Sequence, residues 1–160
     1  MKKRPKQSIS RKDRSGFYIT GFVDGEGSFN VSLRKKEDYQ IGWQVVLCFN
    51  VSQKDITLLN ILKEVLGCGI IKTRKIDGLF MFEVTSIGDI NRKVIPFFDK
   101  YNFISENKKR NFAIFCKIAK LVGEGKHRRK KSLKEILLLR ETLNLGKGRK
   151  RKYSFSDVFK

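Results

Sequence analysis

Tyr18-Ile19-Thr20-Gly21-Phe22-Val23-Asp24-Gly25-Glu26-Gly27-Ser28-Phe29 occurs once in the chain, and the period of the sequence changes across it. Before the acids, Phe17, Tyr18, Ile19, Phe22 and Val23 fall at helical spacing and predict a helix from about Arg14 to Asp24. After them, Phe29, Val31 and Leu33 alternate with Ser28, Asn30, Ser32 and Arg34, as in a strand with one apolar face. Gly21 and Gly25 stand four apart on one side of the helix, where no Cβ keeps a partner away. Asp24 and Glu26 straddle the helix end, so only one of them need point into a site. The other can satisfy free backbone N–H groups or a neighbouring helix end.

Working outward, Trp43, Val45, Leu47, Phe49 and Val51 alternate with Gln44, Val46, Cys48 and Asn50, completing a β-hairpin through the polar stretch 35–39. Asp55 to Leu66 returns to helical spacing and stops at Gly67. Ile70 to Lys75 and Leu79 to Thr85 form a second strand pair through Asp77-Gly78, a strong turn signal. Ser86 to Asp89 resembles a capping box for a helix carrying Ile90 and Val94, interrupted near Pro96. A helix follows from about Asn107 to Val122, and Ser132-Leu133-Lys134-Glu135 predicts a capping box opening Leu133 to Leu143.

The fold class is therefore α+β: an αββαββα core with a four-stranded antiparallel sheet, helices on one face and extra C-terminal helices. The other face would display Asn30, Ser32, Arg34, Gln44, Asn50, Lys72 and Arg74, side chains able to bond base edges and phosphates. Glu83 is the one acid on these strands.

The chain has 160 residues, formal net charge +20 and thirteen Phe, enough for one core. Residues 1–15, 126–131 and 147–152 carry seven, five and five Lys/Arg against the single acid Asp13, and so supply +16 of the +20. The expected organisation is a basic arm over 1–13, one domain over 14–144 and a basic tail over 145–160, with nucleic acid as the favoured partner. No apolar run approaches the ~20 residues that span a bilayer, and a membrane is not the expected partner. Cys48, Cys68 and Cys116 are odd in number and lack zinc-ligand spacing, which predicts reduced thiols. His127, the only histidine, lies in a basic run and reads as a surface residue.

The string Ile19-Thr20-Gly21-Phe22-Val23-Asp24-Gly25-Glu26-Gly27 resembles the signature of the LAGLIDADG homing endonucleases, with Ile for Leu, Thr and Gly for Ala, and Glu for the second Asp. The Ser28-Phe29 strand start, the αββαββα order and Leu143-Asn144-Leu145-Gly146-Lys147 extend the resemblance over roughly Phe17 to Lys152. By position it implies that Glu26 and the Gly25 carbonyl bind a divalent cation, Mg²⁺. It also implies that Gly21, Gly25 and Phe22 pack against a second copy of the helix. Gln53 matches the polar position at the start of the second helix. Lys108 is the candidate basic residue within Ser105-Glu106-Asn107-Lys108-Lys109, with Glu106 the other candidate. Lys147 and Arg149 join the sheet residues as DNA contacts.

A single motif places the chain with the homodimeric branch, whose paired sheets form a saddle on double-stranded DNA. The implied function is a site-specific endonuclease that makes a staggered double-strand break in a long pseudo-palindromic target by metal-dependent phosphodiester hydrolysis, promoting intron mobility. The alternative is a non-cleaving binder on the same scaffold, an intron maturase or a regulator, with intron RNA as partner. The expected setting is intracellular: a mitochondrion or chloroplast, or a bacterial or archaeal cytoplasm.

Overall fold

Alternation along the two longest strands sets the architecture. In the computed structural model, which describes residues 9–145 and 151–159, β1 (Gly27–Lys35) pairs antiparallel with β2 (Trp43–Gln53) along its whole length. β2 then pairs with β4 (Phe80–Val84), and β4 with β3 (Ile70–Thr73), giving one antiparallel sheet of order β1-β2-β4-β3. Every second residue of β1 and β2, from Phe29 to Leu33 and from Trp43 to Val51, is buried under helices. The residues between them form the open face.

Helix α1 (Arg11–Glu26) starts earlier than its hydrophobic pattern predicts, because the Ser10 side chain caps the Asp13 N–H at 3.0 Å. Helix α2 (Ile56–Leu66) is capped by Asp55 and stops at Gly67, whose φ of 63° lies in the left-handed region that glycine enters without strain. Beyond β4, Ser86 accepts from the Asp89 N–H, and three segments run on without interruption: α3 (Ile87–Asp89), a π turn (Ile90–Val94) and α4 (Ile95–Lys100). Pro96 does not end the helical run; the α-helical ladder is broken at the π turn just before it, where the Ile95 N–H bonds Ile90 O and the proline has no N–H to continue the pattern.

Helix α5 (Glu106–Gly123) is capped by Ser105, and a 3-10 turn (Lys126–Arg128) leads into α6 (Lys130–Glu141). The predicted capping box at Ser132 does not form. Arg129 occupies the cap position, its carbonyl accepting from the Leu133 N–H at 2.9 Å, and Ser132 lies inside the first turn.

Phe29 is the centre of the core. Its ring lies 5.2 Å from that of Phe49 on the neighbouring strand, and 6.0, 5.8, 5.2 and 5.0 Å from Phe98, Phe103, Phe112 and Phe115 on the helical side. Such offset and edge-on pairs add to the burial of the rings themselves. They fix the position of α4 and α5 over the start of β1.

Residues 151–159 are not the free tail that their charge predicts. Arg151 pairs with Glu141 and donates to the carbonyls of Arg140 (2.6 Å) and Leu143 (3.0 Å). Tyr153 stands edge-on to Trp43 at 4.9 Å, and Phe155, Val158 and Phe159 around α7 (Phe155–Val158) pack against the core. This strap works together with the buried Arg140, whose side chain donates to Val31 O at 3.0 Å and to Tyr153 O at 2.9 Å. Asn144, in the left-handed region at φ 51°, donates to Phe29 O at 2.7 Å. Two carbonyls of β1, those of Phe29 and Val31, which would otherwise be open to pairing with another chain, are thus occupied.

Replacing Arg140 by Leu leaves two carbonyls without these charge-assisted bonds, each contributing about 1.5–3 kcal/mol. Urea unfolding of Arg140→Leu should show a loss of about 2–4 kcal/mol. A loss below about 1 kcal/mol would mean that the Arg151 bonds and the aromatic contacts hold the strap without the Arg140 side chain.

Candidate active site and nucleic-acid face

The two acids at the end of α1 do different work. The Asp24 carboxylate accepts from the backbone N–H groups of Ile104 and Ser105, both at 3.0 Å, and from the Ser105 hydroxyl. It therefore ties the end of α1 to the first turn of α5. Burial pushes the Asp24 carboxyl up, but the Ser105 and Ile104 hydrogen bonds and the Lys108 ammonium outweigh it and hold the group below its usual range. Glu26 is exposed and makes no hydrogen bond or ion pair among the described residues.

Around Glu26 the donor set is all oxygen. α1 ends at Glu26, so the Gly25 carbonyl has no intrahelical donor, and no basic residue occupies the last turn. The negative end of the helix dipole is thus left uncompensated, a place that favours a cation. A carboxylate and a carbonyl with open positions beside them suit a hard divalent ion that keeps several waters. Among the described residues no group of three His, Cys, Asp or Glu could hold a metal. Two oxygens from one helix end fill only part of the coordination shell of a hard divalent ion.

The Asp24 tie places Lys108 beside these groups. Its side chain is half-buried, its ammonium donates to Gly27 O, and it lies in the fields of both Asp24 and Glu26. Burial pushes this ammonium below its ordinary value, against the pull of the two carboxylates. Glu106, the other candidate, is exposed and paired with Lys109 at 2.9 Å. Gln53 ends β2 two residues past Val51, which pairs with Gly27, so it stands at the same end of the sheet as Glu26.

The outer side of α1 is open. A Cβ built on Gly21 or Gly25 meets no atom within 4 Å, whereas one on Gly16 would strike the Tyr101 ring. Phe22 is half-buried and packs against this chain's own core. The large exposed apolar residues of the helix are Phe17 (55%) and Tyr18 (60%), which the sequence pattern had assigned only to helical spacing.

On the open face of the sheet, Ser32 and Arg34 are exposed and Asn30, Gln44 and Asn50 are half-buried, with Arg34 opposite Gln44, Asn30 opposite Cys48 and Asn50 opposite Ser28. Lys72 is on β3, but Arg74 falls beyond its end and is held by Asp77 through its Nε at 2.8 Å. Lys147 and Arg149 lie outside the described residues, as do 1–8 of the expected arm. His127 is half-buried between exposed basic residues, with its Nδ1 atom buried, and burial pushes the imidazole's pKa down. The three cysteines are free and half-buried. No described helix is long and apolar enough to cross a membrane.

A single antiparallel sheet with a polar face, covered by helices on the other side and flanked by an acid-tipped first helix, defines the αββαββα class. The chain belongs to the LAGLIDADG endonuclease family, whose profile matches residues 19–119. Among curated relatives, Probable intron-encoded endonuclease 2 of Neurospora crassa is 38% identical over 144 residues, 88% of this chain and 32% of that protein. Among solved structures, the meganuclease I-SmaMI bound to uncleavable DNA superposes with a TM-score of 0.77 at 35% identity, over 84% of this chain and 45% of its own. The homing endonuclease I-TnaI superposes with a TM-score of 0.77 at 29% identity, over 82% of this chain and 88% of its own. The chain thus spans about a third of the Neurospora relative and just under half of I-SmaMI.

A carboxyl whose folded pKa is depressed contributes stability above its unfolded pKa, and that contribution is lost as pH falls through the folded value. Asp24→Ala should be less stable than wild type at pH 7 by about 1–2 kcal/mol, the scale of a lost helix cap. The gap should narrow on acidification below about pH 4, the unfolded carboxyl range. Urea unfolding at neutral and acid pH measures it, and a gap that does not change with pH would show that the Asp24 tie carries no charge-dependent stability.

Proposed function

We propose that the protein is a site-specific homing endonuclease that acts as a homodimer on double-stranded DNA. The observation that carries this reading is the division of labour at the end of α1, where Asp24 is consumed as a tie while Glu26 stays exposed beside Lys108. The strong positive charge of the chain supports a phosphate backbone as partner. The names of the relatives, intron-encoded and homing endonucleases, support an intron-borne gene and a role in its mobility.

In this mechanism Glu26 and the Gly25 carbonyl would hold a divalent cation, Mg²⁺, with the same groups of a second copy contributing. Bound there, the cation supplies positive charge at the scissile phosphate and lowers the pKa of water. Gln53 orients the attacking water through its side-chain amide. The Lys108 ammonium balances charge that grows on the phosphate oxygens as the bond to the leaving 3′ oxygen breaks. The water oxygen ends on the 5′ phosphate, and the 3′ oxygen takes a proton. Each protomer cuts one strand, giving a staggered break in a pseudo-palindromic target that matches the two-fold axis.

Glu26→Gln should abolish cutting in Mg²⁺ while the affinity for the same duplex stays within about threefold, since its side chain is neither a core nor a sheet-face group. Cleavage of a library of intron-insertion sequences, with gel-shift binding in parallel, reads both quantities. Undiminished cutting by the variant would overturn the catalytic role, and wild-type binding without cutting would favour a non-cleaving binder.

The open glycine face of α1 is proposed as the seam between two copies. A Cβ at Gly21 meets no atom within 4 Å in the single chain, so the fold of Gly21→Leu should survive while the dimer dissociates. Sedimentation of wild type and variant, free and on duplex DNA, tests the seam. A wild type that is monomeric in both states would refute it.

A further inference from the structure

One acid stands among the amides, hydroxyls and cations of the open sheet face. Glu83 on β4 lies between Asn50 of β2 and Ile70 of β3, and Lys72, next on that face of β3, lies opposite Met81. The Lys72 ammonium and the Glu83 carboxylate form an ion pair across the two strands. The Lys72 side chain is 54% exposed and that of Glu83 only 14%, so the carboxylate is sunk into the face while the cation stands out from it. A pair of this kind contributes little to stability. A carboxylate on a face that meets phosphates would also weaken binding unless it met a donor there.

The two groups have fixed and opposite capacities: a carboxylate only accepts and an ammonium only donates. In the major groove a C·G pair presents the N4 donor of cytosine beside two acceptors, O6 and N7 of guanine. An A·T pair flanks its N6 donor with isolated acceptors, adenine N7 on one side and thymine O4 on the other with the methyl beyond it, so no two acceptors lie side by side. A sunken acceptor with a protruding donor beside it therefore matches C·G better than A·T. It opposes G·C, where the acceptor would meet O6 or N7.

We propose that Lys72 and Glu83 read one C·G base pair as a unit, Glu83 accepting from cytosine N4 and Lys72 donating to guanine O6 and N7. The inference rests on the sheet face lying in the major groove. Because the ion pair already exists in the free protein, both side chains are preorganised, and each keeps a partner of opposite charge when water leaves the interface.

The test uses a randomised double-stranded DNA library without divalent cation, so that binding alone is selected. Wild type, Glu83→Gln, and the double exchange of Lys72→Glu with Glu83→Lys are compared position by position. Wild type should enrich a C·G pair once in each half-site, its replacement by A·T weakening binding by about tenfold or more. Glu83→Gln should move that position toward A·T, because an amide matches adenine N6 and N7. The exchange keeps the ion pair and the net charge, and should turn the preferred pair round to G·C with all other positions unchanged. One identical motif from all three proteins overturns the inference and leaves DNA reading by the sheet intact. A wild type that enriches no motif overturns the underlying function as well.

Discussion

The Asp24 carboxylate joins parts of the chain 80 residues apart, and the candidate site depends on that junction. Three donors at the start of α5 converge on it, and they bring Lys108 against the Gly27 carbonyl and into the field of Glu26. Hydrogen bonds to a charged acceptor are stronger than neutral ones, and here two of them also satisfy backbone groups at a helix start. The arrangement explains why a motif holds two acids when only one faces outward: the inner acid fixes the geometry in which the outer one can act.

The sheet gives that helix end its setting. Alternation buries Phe29, Val31, Phe49 and Val51 beneath α1, α2 and α5, and the same alternation turns Asn30, Ser32, Arg34 and Asn50 to the opposite side. Since Gly27 both ends α1 and begins β1, any shift in the strand register would move Glu26 relative to the polar face. The cluster of Phe rings around Phe29 opposes such a shift.

Much of this was legible from local pattern. Period-two runs predicted both hairpins, Gly67 the end of α2, and the spacing of Asp24 and Glu26 the splitting of their roles. Interactions between distant residues were less accessible, because side-chain type and neighbours in sequence do not specify a tertiary partner. Nothing near Arg140 or Arg151 in the sequence announces a strap, and the charge of that region predicts a solvated tail instead. Arg74 was assigned to the strand by alternation, yet Asp77, three residues on, draws it into the turn. The capping box read at Ser132 has the right letters, but the 3-10 turn before it starts the helix three residues earlier.

The strap also bears on how the molecule comes into being. Val31 and Trp43 belong to the β1–β2 hairpin, whereas Arg140 and Tyr153, their respective partners, are made more than a hundred residues later. Until then the β1 edge keeps bare carbonyls beside apolar side chains, a template for pairing with another nascent chain. Closure of the edge thus waits until residues 140–153 have been made. Trp43, the sole tryptophan, sits at the closing contact, and its emission would mark the moment when a newly made chain passes from sticky to safe.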